Sequence, residues 1–102
     1  MRLDPFEAAR PVLSIAASWE AERDFAKAAA AYDALAKDLS PAHFLFEETL
    51  LSLARSQEAG GRAADAIATY QRVLKELPAS RRVDEVKIRL ASLSSTQARQ
   101  SR

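Results

Sequence analysis

Few side chains in this sequence could do chemistry, and their spacing argues against it. His43 is the only histidine, and cysteine is absent. A lone imidazole cannot complete a three- or four-ligand zinc site, and no H-x-x-x-H spacing exists. The carboxylates Glu47-Glu48 and Glu20/Glu22 lie too close in sequence to share one helix face. General acid–base work needs carboxylates converging in a pocket, and first-turn complementarity to a helix dipole accounts better for Glu47 and Glu48. Gly60-Gly61 lacks the lysine and spacing of a phosphate loop and reads as a helix terminus. The expectation is a protein without catalysis, cofactor or metal, in which His43 is a surface residue at a helix start.

The balance of charge narrows the partners. Fifteen basic against 14 acidic side chains leave a net charge of +1 over 102 residues, too little field to draw in nucleic acid or an anionic membrane. Arg81, Arg82, Lys87, Arg89, Arg99 and Arg102 form a local basic excess, but no aromatic residue interleaves with them to stack on bases. No run of about 18 apolar residues suggests a membrane span, and the N-terminus lacks a basic-then-apolar signal segment. The lack of cysteine suits a reducing cytosol, and equally a bacterial periplasmic domain that needs no crosslink. A chain that begins and ends this abruptly also reads as a piece of something longer.

The elements that would position these residues are helical. The chain has 2 Gly and 4 Pro, and alanine makes up much of its 48% hydrophobic content. Alanine buries little area, but it has the best helix propensity and lets helices approach closely. Asp4-Pro5-Phe6-Glu7 has the form of a helix start, and Pro11 should break that turn. A first helix is then expected from about Pro11 to Glu22, burying Val12, Ile15, Ala16 and Trp19. Asp24 should cap a second helix running to about Asp38, with Ser40-Pro41 as its stop and the next start. The third, from about Pro41 to Ala59, is apolar on more than one side and should be the central element. Phe44 and Phe46 stand two residues apart and cannot both point inward; the outward one should meet the segment around Phe6 or a partner. A fourth helix should span about Arg62 to Leu77. A fifth should span about Ser80 to Leu93, with Glu85 and Arg89 as an i,i+4 pair. Residues 94–102 read as a flexible tail.

Two stretches superimpose at a shift of 38. Val12, Ile15, Ala16, Trp19, Phe25, Ala28, Tyr32, Leu35 and Ser40 fall on Leu50, Leu53, Ala54, Gln57, Ala63, Ala66, Tyr70, Val73 and Pro78. A fixed period between about 20 and 50 residues marks stacked supersecondary units. Ala16 should face Ala28, and Ala54 should face Ala66, at tight helix crossings, with Tyr32 and Tyr70 filling the wedge beside each.

On these residues the chain resembles the tetratricopeptide repeat family. A copy starting at Glu47 supplies Leu50, Leu53, Ala54, Gly61, Ala66, Tyr70 and Pro78 at that family's preferred positions. A copy starting at Ala9 supplies Val12, Ile15, Ala16, Phe25, Ala28 and Tyr32. Departures are Arg23 where glycine is preferred, Ser40 where proline is, and Ala63 where an aromatic is. The whole is also similar to bacterial envelope-associated repeat domains such as those of Tol-Pal and translocon accessory proteins.

The resemblance implies an all-α, right-handed helical-hairpin solenoid within residues 1–93. It would have repeats at about 9–42 and 47–80 and a capping helix at about 80–93. It also implies a protein–protein interaction scaffold whose concave groove carries Arg10, Leu13, Ala17, Glu20, Glu48, Leu51, Arg55, Glu58, Glu85, Ile88 and Ser92. Leu13, Leu51 and Ile88 would form an apolar strip suited to a peptide or amphipathic helix. The lysine–asparagine clamp that some relatives close on a C-terminal carboxylate is missing, since Leu13 and Ala17 stand in its place. The alternative is an oligomerisation domain that pairs with itself through the strip, because two repeats fall short of the usual three.

Overall fold

Five helices follow one another in a computed structural model that describes residues 5–100: α1 (Pro5–Ala21), α2 (Phe25–Asp38), α3 (Phe44–Ala59), α4 (Ala63–Glu76) and α5 (Val83–Gln100). Each packs on the next, and α1 also touches α3. The result is a slab of 54 × 33 × 17 Å in which α3, sandwiched between α2 and α4, carries the core. Phe46, Thr49, Leu50, Leu51, Leu53 and Ala54 are all buried along it.

The 38-residue shift holds at the level of single hydrogen bonds. In the first turn the Asp24 N–H donates to the Trp19 carbonyl at 2.8 Å and the Arg23 N–H to that of Glu20 at 2.9 Å. In the second, Arg62 donates to Gln57 at 2.8 Å and Gly61 to Glu58 at 3.1 Å. These are the paired closures of a helix end that needs a left-handed residue just past it. Gly61 supplies it at φ 79°, and Arg23 adopts it at φ 62° without being glycine. Gly60 is small for another reason: a Cβ there would come within 3.2 Å of the Phe25 Cβ. Ala16, Ala28, Ala54 and Ala66 are fully buried, as close crossings of α1 with α2 and of α3 with α4 require.

Helix starts depart from the sequence expectation. Pro11 lies inside α1 rather than opening it, and the Asp4 cap falls outside the described residues. Residues Leu45, Thr49, Leu53 and Ser56 of α3 are buried, whereas their counterparts Glu7, Pro11, Ile15 and Ser18 on α1 are exposed. Pro11 thus sits on the open side of its helix, where water can satisfy the carbonyl that proline leaves unbonded. For the same reason Ile15, expected in the buried stripe, is 54% exposed: among the described residues, no element on its side of α1 plays the part that α2 plays for α3.

Ser40 does not cap α3. Its hydroxyl accepts from the Ala42 N–H at 3.2 Å in a turn of its own, and the helix begins at Phe44. Ser80 repeats the device, accepting from Arg82 at 3.0 Å, so α5 begins at Val83. Serine serves a local turn as readily as a helix cap. The cap of α3 is His43, whose Nδ1 accepts from the Leu45 N–H at 3.1 Å, while Asp24 caps α2 as expected.

The flexible tail expected from residue 94 is corrected as far as Gln100, because α5 continues through it. The Thr96 hydroxyl bonds the Ser92 carbonyl, and Gln97 is half-buried.

Candidate functional site

A hollow of about 220 Å³ opens between α3 and α5, with α4 at its floor. It exists because α5 packs on α4 and its backbone stays clear of that of α3, which it reaches through side chains. Leu51, Val86 and Tyr70 form its base, and Arg55, Arg82, Glu85 and Arg89 its walls. That volume suits one inserted side chain, since it falls below the roughly 300 Å³ at which pockets for free small molecules begin.

The walls are held by a polar cluster. Glu58 accepts from the Tyr70 hydroxyl at 2.5 Å and from the Arg89 guanidinium. Burial pushes the Tyr70 phenol up to about 12, and the hydrogen bond to the Glu58 carboxylate adds to the shift. Arg89 rises in turn, first through its hydrogen bond to Tyr70 and then through the Glu58 charge. The first repeat has the same design one period earlier. Burial raises the Tyr32 phenol, Glu20 is the next cause, and Ser52 and Arg55 from the following helix oppose them. Tyr70 thus meets on Glu58 a guanidinium from the next helix, tying a carboxylate of its own hairpin to α5.

This arrangement revises the expected α5 pair. Arg89 is bound to Glu58 on α3, not to Glu85 one turn away. Arg82 lies 3.8 Å from Glu47, which gives Glu47 a partner in the turn that leads into α5 as well as a place in its own first turn. Arg55 donates to the Ser52 hydroxyl at 3.1 Å. Among the described residues, neither Arg55 nor Glu85 has an oppositely charged side chain within 4.0 Å.

Of the eleven groove residues implied by the resemblance, Leu51, Arg55 and Glu85 meet in the hollow. Arg10, Ala17, Glu48, Ile88 and Ser92 are exposed, Leu13 is half-buried, and Glu20 and Glu58 are engaged by the tyrosines. The continuous apolar strip is therefore corrected. Leu51 is 6% exposed and belongs to the core, whereas Ile88 is 69% exposed. Sequence reasoning missed Tyr70, Arg82, Val86 and Arg89 as lining, having given Tyr70 only the wedge beside a helix crossing.

The aromatic residues divide as their spacing requires. Phe46 is fully buried with Arg72 over its ring, while Phe44 is 70% exposed and stacks on His43 at 5.0 Å. The Phe6 side chain expected near them lies outside the described residues. Trp19 is half-buried, with the Lys27 ammonium 4.6 Å from its ring centre, so it closes the edge of α1 on α2 instead of filling the core.

No three histidine, cysteine or acidic side chains gather among the described residues to hold a metal, and no described helix is long and apolar enough to cross a membrane. Residues 48–80 match the family model of the tetratricopeptide repeat. The chain carries a tetratricopeptide repeat. The matched segment is α3, its glycine turn, α4 and the Pro78 that follows, the hairpin whose helices border the hollow. Comparison with curated proteins finds no match. Tetratricopeptide repeats are in general protein–protein interaction modules of scaffold type, and the five-helix hairpin stack agrees with that fold.

Proposed function

We propose that this chain is a non-catalytic interaction scaffold that receives a peptide or amphipathic helix of another protein along α3 and α5. Two hairpins, about 9–42 and 47–80, form the stack, and α5 closes it. The observation that carries the reading is the hollow itself: it has an apolar floor and charged walls, and Ile88 stands exposed on the helix that lines it. An apolar anchor entering such a depression, ringed by polar contacts, is how interfaces concentrate binding energy.

A photo-crosslinking amino acid placed at position 88 tests this in the cell of origin. A discrete heterologous adduct is expected there, and none from the same group at Ala68, an exposed position on α4. Equal adducts at both positions would contradict the proposal. Ile88 also supports the second reading, self-association, because an exposed branched side chain beside a hollow can seat in a second copy. An adduct of twice the chain mass would favour that reading.

A further inference from the structure

We propose that the hollow selects a partner segment carrying an apolar side chain flanked by one acidic and one basic residue. Arg55 takes the acid and Glu85 the base. The inference rests on the groove reading and adds to it the chemistry of the occupant.

The argument is one of charge left over. Two of the three arginines lining the hollow are satisfied within the fold, Arg89 by Glu58 and Arg82 by Glu47. That leaves one guanidinium and one carboxylate on opposite helices, Arg55 on α3 and Glu85 on α5, without a charged partner and without reaching each other. The walls therefore carry both signs, and a ligand of a single sign would satisfy one wall and repel the other. Between them lie Leu51 and Val86, which favour an aliphatic group over a third charge. Charges arranged this way choose partners more than they add affinity.

Four capped peptides separate the contributions: Ac-Glu-Leu-Lys-NH2, Ac-Glu-Leu-Gln-NH2, Ac-Gln-Leu-Lys-NH2 and Ac-Gln-Leu-Gln-NH2. Each is titrated into the ¹⁵N-labelled chain while the amide shifts are followed. The doubly charged peptide should shift Leu51, Arg55, Glu85 and Val86 saturably. Each charge should tighten binding by about two- to fivefold, as half-exposed pairs do. Arg55→Gln should cancel the advantage of the acidic residue alone, and Glu85→Gln that of the basic residue alone. Four equal affinities would overturn the proposal, as would a preference for acid that Glu85→Gln leaves unchanged. Shifts at Ile88 that depend on protein concentration without peptide would overturn it in favour of a second copy. A position-88 crosslink together with equal peptide affinities would sink the charge assignment and leave the groove standing.

Discussion

Glu58 is the residue on which most of the site's order depends. It is nearly buried, accepts from both Tyr70 and Arg89, and links α3 to α4 and α5. Replacing it with alanine strands the buried Tyr70 hydroxyl and should cost about 1–3 kcal/mol in urea unfolding. Arg89→Ala should cost less than about 1 kcal/mol, because that guanidinium is half-exposed and water replaces it. Equal losses would show that the cluster acts through Arg89 instead. The tyrosines make a second prediction. A phenol whose folded pKa lies above its unfolded value, about 10, contributes stability that is complete below that value. The contribution is lost as pH rises through the folded value, about 12 for Tyr70. At about pH 11 the folded chain should show little tyrosinate absorbance, while the urea-unfolded chain shows it fully; matching titrations would contradict the buried geometry. Residue identity alone did not reveal this cluster. Glu58 and Tyr70 are twelve apart, and only the folded hairpin brings them together.

The two hairpin turns offer an internal control at the element scale. Gly61 and Arg23 hold the same left-handed conformation at equivalent places. Gly61→Ala should lose about 1 kcal/mol, since no side chain crowds the position and backbone strain alone acts. Arg23→Gly should gain about 0.5 kcal/mol, because relief of strain is offset by a looser unfolded chain and the loss of the Phe25 contact. Thermal melts of both variants check the pair; a loss at Arg23 would mean that its side chain fixes the turn. Ala54→Leu should cost about 1–3 kcal/mol by forcing α3 from α4.

Much at this scale was legible in advance. The interiors of all five helices, the glycine turn and the central place of α3 follow from apolar spacing at 3.6 residues. Starts were less legible, for a definite reason. Ser40 and Ser80 have two hydrogen-bonding options of similar strength, and the hydroxyl chose the local turn. Pro11 was misread because the rule against interior proline assumes a buried helix face, and that of α1 is open.

At the scale of the whole molecule, the ends of the stack differ from its middle. The faces that neighbours cover on α3 are left exposed on α1, where Glu7, Pro11 and Ser18 replace Leu45, Thr49 and Ser56. The hollow has the same origin: α5 leans on α4 and stands off from α3. Such a gap between non-adjacent helices depends on packing angles that periodicity does not encode. The sequence therefore identified Leu51, Arg55 and Glu85 through the resemblance but not the Tyr70, Arg82, Val86 and Arg89 that complete the lining. Ile88→Asp should leave the melting temperature within about 2 °C, as exposed substitutions do, while abolishing the position-specific contact. Leu51→Asp would instead unfold the centre.

The central claim is that α3 and α5 together form the receiving surface. Hydrogen–deuterium exchange of the full chain, with and without the partner identified by crosslinking at position 88, tests it most directly. Protection gained along residues 50–58 and 82–92, with α2 and the outer face of α4 unchanged, is the predicted result. Protection confined to α2 and α4 would contradict it.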